Sequence, residues 1–439
     1  MPAQPQEFLA NIAPLLGWFY LACCALNVGA AGRLWHLRKP GFKLLMWTAF
    51  AVGFGVFAGR SFAGNPPEVP ARVKAAIDAA LGPMTLSVGS LVALAVLYLG
   101  RRFFVIPAVA WTVLNASLLL LGTSLSDANF AAVVGKPDNI PIVALVYLFG
   151  FFLWWATAQA VENDRRLAVG SPPLEQQHAE RVLVWPDLVY IELIGMILVS
   201  VLLVVWSLSL QAPLEQPANP VVTPNPSKAP WYFVGLQELL VFSDAWWAGV
   251  LVPGLIVLGL AAIPYLDCNL QGNGYYTIRH RRFAYVVFMF GFLMLWILLI
   301  LVGTFLRGPN WNFFGLYEVR DPHKLLSVSN VKLSEYFWTA LLGRAVPQVP
   351  EDSGGLVRLG LILWREIAGV LLVAVYLLGL PLLLGCTVFR RLRQQMGAAR
   401  YALMIVLLLL MMTLPLKMIL RWTFDLSYLL SIPEYSLNF

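Results

Sequence analysis

Ten stretches of nearly unbroken apolar sequence, each about as long as a bilayer is thick, limit what this chain can fold into. Backbone N–H and C=O groups cannot be left unpaired in lipid, so a run of roughly 17–25 apolar residues has to cross as a helix. Such runs fall at approximately 13–32, 43–60, 84–100, 103–122, 141–160, 188–210, 248–266, 284–306, 367–389 and 401–420. Only 12% of the residues are charged and the mean hydropathy is +0.74, whereas soluble domains carry about a quarter charged residues. The expected fold class is therefore an all-α integral membrane protein with about ten transmembrane helices and a long aromatic-rich outer loop. The first apolar run has no basic residue ahead of it and continues to spanning length, so no cleavable signal peptide is expected.

The net charge of +7 does not point to nucleic acid, because the basic residues sit between the apolar runs and form no patch. They report topology instead. With residue 1 outside, the inner segments 33–43, 101–102, 162–185, 267–283 and 390–400 hold 16 of the 30 Lys and Arg. Half of the remainder lies in the 307–366 loop, which is too long for the rule to weigh. Both termini are thus expected outside. Three outer segments are long enough to do more than connect: 61–83, which contains a short surface helix in PEVPARVKAAIDAALG, 211–247 and 307–366. The inner segment 162–185 is polar and Pro-containing, and is the expected boundary between two five-helix halves.

Much familiar redox chemistry is missing. Cys23, Cys24, Cys268 and Cys386 form no Cys-x-x-Cys, which argues against a zinc site or covalent haem. His36, His178, His280 and His323 lie in loops or at helix ends, no two on one helix. A bis-histidine haem needs imidazoles facing each other inside a bundle. No haem ligand, metal ligand, nucleotide-binding glycine pattern or iron–sulfur cysteine set is expected, so any electron carriers belong to other chains.

One region carries candidate chemistry. Prolines at 213, 217, 220, 224, 226 and 230 keep the approach extended or turned, and Pro230 suits the first turn of a helix beginning Trp231, Tyr232, Phe233. Trp231 and Glu238 are seven apart, two turns along one face. Rings, a phenol and a carboxylate at a membrane surface suit a quinol, which needs flat apolar walls, partners for its hydroxyls and a base. An interfacial helix with aromatic anchors and a solvated Glu238 fits the same spacing. Glu192 and Glu366 sit near the ends of the sixth and ninth runs, either handling protons or simply hydrated. Lys228 is expected to pair with Glu215 or Asp244 at the surface. Trp311, Phe313, Asp321 and His323 either meet a partner outside or pack the loop onto the membrane domain.

From about Trp185 to Pro309 the chain resembles the C-terminal part of cytochrome b, or subunit IV where cytochrome b is split. Pro186-Asp187-Leu188, PLEQPANP at 213–220, TPNPSKAPWYF at 223–233, GLQELL at 235–240 and IPYLD at 263–267 carry the likeness. The common motif Pro-Glu-Trp-Tyr is here Ala-Pro-Trp-Tyr, so the usual acid is replaced by Pro230 and Glu238 is the candidate substitute. The resemblance implies an outer quinol-oxidation site formed by Pro230, Trp231, Tyr232, Phe233 and Glu238, with Glu238 and Tyr232 as catalytic groups. It implies a haem-free subunit of a cytochrome bc-type quinol:cytochrome c oxidoreductase, inactive alone, in a bacterial inner membrane. Its ligand is a quinol or quinone (menaquinone or ubiquinone). Its partners are a haem-b cytochrome subunit, a Rieske-type iron–sulfur protein and a c-type cytochrome, within the lipid bilayer and without nucleic acid. The division expected is 1–165, a five-helix region of unassigned role; 183–345, the cytochrome b C-terminal-like quinol-site domain; and 346–439, two further transmembrane helices with an outer tail. A structural membrane anchor without a working quinol site is the alternative.

Overall fold

The computed structural model describes residues 5–38, 41–177, 179, 182–209, 217, 219–272, 274–324, 330–350, 352–435 and 437–439. Its main helices are α1 (Pro5–His36), α2 (Phe42–Phe62), α3 (Ala71–Ala80), α4 (Pro83–Leu99), α5 (Pro107–Ser124) and α6 (Ile140–Ala168). They are followed by α7 (Val184–Ser209), α8 (Trp231–Leu239), α9 (Trp247–Leu266), α10 (Arg282–Leu306), α11 (Gly355–Arg365), α12 (Ile367–Cys386) and α13 (Ala398–Phe424). Nine of these described helices are long and apolar enough to cross a membrane, and a tenth span is α4 taken with α3, to which it joins at a 77° bend. The protein is an all-α membrane protein, as its apolar runs require. The fourth crossing begins at Pro107 rather than near 103, because a proline is tolerated in the first turn and not further in.

The loops group as alternating crossings demand. At one end Asp78 accepts from the Tyr317 N–H at 3.2 Å, Lys74 pairs with Asp127 at 2.6 Å, and the Asn225 side chain bonds that of Asn310 at 2.8 Å. Asp244 takes the Asn438 amide at 3.0 Å at the same end. At the other end Asn163 donates to the Tyr276 carbonyl and Asp164 accepts from the Arg279 N–H. The described residues of segments 61–83, 124–139, 219–246, 307–324, 330–350, 352–366 and 425–435 thus share one face, and 162–177 shares the opposite one with 267–272 and 274–281. The surface helix expected within 61–83 is α3.

The N-terminal helices pack as a bundle around Leu16, Tyr20, Cys23, Phe54 and Ala58. Buried among them, Asn27 of α1 donates to Asn115 at 2.6 Å and accepts from the Trp111 indole at 3.0 Å, both on α5, so two helices share one polar contact. Such hydrogen bonds help hold helices together in lipid, where apolar burial gives little drive. α10 packs against the N-terminal helices. Phe305 packs with Phe130, Val134 and Ile142, and Val302 and Leu306 pack with Leu81 and Leu86.

Two elements differ from this pattern. α7 has every residue from 190 to 209 exposed, although its mean hydropathy is 2.7. The C-terminal tail is pinned by two small sheets across the face that carries the 307–324 loop. β1 (Val331–Lys332) pairs parallel with β2 (Leu426–Tyr428), and β3 (Ser431–Ile432) pairs antiparallel with β4 (Leu437–Asn438). In a chain whose native cysteines are replaced, Cys introduced at Val222 and at Leu270, both well exposed, is expected to react with an impermeant thiol reagent from opposite sides of sealed vesicles. Labelling of both from one side would break the alternation.

Candidate functional site

The Pro-rich approach, described from residue 219 onward, is fastened before it reaches the membrane. Asn225 is held by Asn310 in both directions, at 2.8 and 2.7 Å. Gln237 reaches back from α8, accepting from the Ala229 N–H at 2.8 Å and donating to the Ser227 carbonyl at 2.9 Å. Pro230 lies one position before the first helical residue and serves as the N-cap of α8. The part of the approach at Pro213 lies outside the described residues.

α8 is too short to cross a bilayer and docks instead on the C-terminal end of α10. Val234, Gly235 and Leu239 are buried there. A Cβ on Gly303 would stand 2.5 Å from the Val234 side chain, so the two backbones approach as closely as glycine alone allows.

The opposite ends of α8 face different surroundings. Glu238 is 1% exposed and receives the Arg307 guanidinium as a fork, with Nη2 to Oε1 at 2.6 Å and Nε to Oε2 at 2.9 Å. The Trp311 indole N–H donates to Oε2 at 3.1 Å. Arg307 also donates to the Trp311 carbonyl at 2.9 Å and lies over the Phe313 ring at 5.4 Å. Trp231, Tyr232 and Phe233, in the first turn, are 41%, 47% and 54% exposed and touch one another ring to ring at 5.7 and 4.9 Å. The structure therefore joins the three rings into one outward patch and draws Glu238 away from them into the protein. Equal position around the helix axis does not give equal surroundings here, because the rings splay beyond the helix end while Glu238 lies beneath the 307–324 loop.

Lys228 does not form the surface pair expected of it. Its ammonium donates to the Thr304 carbonyl at 2.8 Å and the Arg307 carbonyl at 2.7 Å, capping the negative end of α10. Burial, followed by the cations Arg320 and Lys136, lowers its pKa to about 8 despite those carbonyls. Trp311 and Phe313 pack inward, whereas Asp321 and His323 close an exposed turn in which the His323 N–H bonds Asp321 at 2.9 Å. Glu192 is exposed on α7. Glu366 is buried, accepting from Arg365 at 3.1 Å and the Ser431 N–H at 3.2 Å, so it fastens the tail and is not simply hydrated. Of the histidines, His36 ends α1, His280 and His323 lie in loops, and His178 is outside the described residues. Among the described residues no three His, Cys, Asp or Glu gather as a metal site would require.

Arg307, which closes over Glu238, is the residue of this candidate site that the sequence did not single out. Its signal was a lone cation directly after an apolar run, which reads as an ordinary interfacial charge. Replacing Glu238 by Gln or Arg307 by Met leaves the other group buried with its partner gone, and is expected to cost ~3–5 kcal/mol. The double variant should lose less than the two singles together, measured by thermal unfolding of the purified protein. Additive losses would show that the two groups are not coupled.

The Lys228 amine has a folded pKa of about 8 against 10.5 for the free side chain, so above pH 8 the unfolded chain binds the extra proton. Stability should rise from pH 8 towards 10.5, with the burial cost fully present below pH 8. Relative to Lys228→Met, the wild type should gain in unfolding temperature between pH 7 and 10. A flat difference would contradict this assignment.

Comparison with known proteins agrees with this layout. No curated protein and no solved structure matches the chain. The helices before α7 are unmatched by any family, whereas residues 217–319, which hold α8, α9, α10, Glu238, Arg307 and Trp311, match the family described as Cytochrome b(C-terminal)/b6/petD. That match indicates a subunit of a cytochrome bc-type complex.

Proposed function

We propose that this chain is a membrane subunit forming the outer quinol-oxidation site of a cytochrome bc-type quinol:cytochrome c oxidoreductase. The observation that carries the reading is the exposed Trp231–Tyr232–Phe233 patch, set at the start of a short interfacial helix inside the segment that matches the cytochrome b C-terminal family. Flat rings at helix-end depth suit the quinol head, and the Tyr232 hydroxyl supplies a partner for one quinol oxygen. Oxidation breaks the two quinol O–H bonds and yields quinone, two protons and two electrons. The electrons pass to one-electron centres held by partner chains: a Rieske-type iron–sulfur protein, leading on to a c-type cytochrome, and a haem-b subunit.

Glu238 is the acid nearest the patch along α8, and both its oxygens are engaged by Arg307 and Trp311. It accepts a proton only when one of those donors lets go. The pair therefore acts as a gate: a quinol hydroxyl that displaces Trp311 or one arm of Arg307 opens a carboxylate oxygen to the proton. Protons then leave toward the outer face, with both chain termini on the periplasmic side of a bacterial inner membrane. Residues 183–345 form the quinol-site domain, residues 1–165 a separate five-helix membrane region, and residues 346–439 two further spans with the outer tail. The exposed apolar surface of α7 fits this assembly, since a haem-bearing chain would cover it.

The closed Glu238–Arg307 pair also favours a second reading, a structural anchor whose quinol site no longer works. Trp231→Ala with Tyr232→Ala distinguishes the two in the purified complex with all subunits retained. The quinol-site reading expects a fall in quinol-dependent turnover of about tenfold or more, since general acid–base and positioning groups typically contribute ~10²–10⁴-fold. Unchanged turnover would leave only the anchor.

A further inference from the structure

A cavity of about 2520 Å³ lies between the N-terminal helices and α10. Ligand pockets for small molecules are usually ~300–1,000 Å³, so this one suits a larger and more extended occupant. Its wall follows α10 from Tyr285 to Leu306, roughly 30 Å at 1.5 Å per residue, close to the ~30 Å hydrocarbon thickness of a bilayer. Most of the lining is apolar.

The charges in that lining are few and of one sign. Arg33, Lys43 and Arg101 are the only charged residues among those forming the wall, and all belong to one end of the bundle, opposite the Pro-rich approach. None of the three forms an ion pair among the described residues; Arg101 instead donates to the Tyr98 carbonyl at 2.8 Å and lies over the Tyr98 ring. At that end Glu162 is engaged by Arg165 and Arg166, Asp164 by the Arg279 N–H, and one oxygen of Glu175 by the Asn163 amide; none of the three acids lines the cavity. Two polar atoms in the wall also lack partners. The indole N–H groups of Trp47 and Trp154 are buried with nothing to bond, and both side chains line the cavity.

We infer that this cavity is a binding site for an anionic phospholipid. Its headgroup phosphate would lie against Arg33, Lys43 and Arg101, and its acyl chains would run along α10 beside the N-terminal helices. Basic pockets between membrane helices select such headgroups, and hydrocarbon as long as the bilayer is thick fills an apolar slot of this length. A neutral isoprenoid would fill the slot but leave the three cations without a counter-charge. The inference does not depend on the quinol-site reading, because none of Trp231, Tyr232 or Glu238 lines the cavity.

The test extracts the native complex containing the full chain in mild detergent and identifies retained lipids by mass spectrometry. Delipidated complex is then exposed to vesicles of phosphatidylglycerol or of phosphatidylcholine. The wild type is expected to retain anionic phospholipid and to gain unfolding temperature with phosphatidylglycerol only. R33Q/K43Q/R101Q should lower retention on the order of a hundredfold, since each interfacial cation contributes about a factor of five. Gly150 lines the middle of the cavity, where a Cβ would meet no atom within 4 Å. Gly150→Leu should therefore block the acyl chains while keeping the fold, and should lower retention even if the triple variant fails to assemble. Equal retention of both headgroups, a retained quinone indifferent to the charge changes, or no retained lipid would each overturn the site.

Discussion

The Glu238–Arg307 pair is the contact on which the outer face of this protein depends. It ties a nine-residue helix, too short to be stable alone in water, to the end of the span that packs against the N-terminal helices. Two charges withdrawn from solvent cost several kcal/mol each unless geometry and further hydrogen bonds make up the loss. Here the fork of Arg307, the Trp311 indole and the Trp311 carbonyl supply those bonds, and the Phe313 ring closes the remaining side. Lys228 caps the same helix end from the opposite direction, so the chain arriving from the Pro-rich approach and the chain leaving α10 are locked together. The 307–324 loop is held here at its start, and again at Tyr317, whose N–H bonds Asp78 at 3.2 Å.

The spans could be read from the sequence because lipid imposes a single requirement, unbroken apolar length, and ten runs met it. Where their ends shifted, as at Pro107, the cause was one residue with a fixed φ. The site was only half readable. The aromatic turn at 231–233 and the carboxylate at 238 were visible, and a helical wheel placed them on one face. What the wheel omits is depth: Arg307 lies 69 residues further along the chain and only the return of the 307–324 loop brings it over Glu238. A pairing between a loop and a helix so far apart leaves no periodicity to detect. The same holds for Glu366, whose partner Ser431 belongs to a tail that looked like a simple terminus.

The tail shows how far the outer face is built by polar contacts rather than by apolar packing. Arg365 joins Glu366 and Glu434, and the Ser431 N–H completes the Glu366 carboxylate. A Cβ on Gly369 would come within 2.1 Å of the Leu429 carbonyl, so the tail lies directly against α12. The Arg365 guanidinium holds the Glu434 carboxyl below its usual range, which keeps the fastening ionised across the neutral pH range. In lipid there is little gain from bringing apolar helices together. The polar fastenings of the tail thus add to the packing of α12 on α13, where Tyr401, Ile405 and Leu409 meet Tyr376, Leu377 and Leu380 and the Tyr376 hydroxyl donates to the Leu409 carbonyl at 2.8 Å.

That economy also explains the contrast between α7 and α10. α10 touches the N-terminal helices and α8, and carries the glycine and the capped C-terminus, followed directly by the arginine, that make the candidate site. α7 carries no such feature, and its side chains from residue 190 to 209 all point away from the rest of the chain. A helix apolar on every side and free of polar fastenings is content in lipid, and equally ready to lie against another apolar helix. α8 and α7 lie close in sequence, on either side of the Pro-rich approach, but among the described residues only α8 is fastened to the end of α10 by polar contacts.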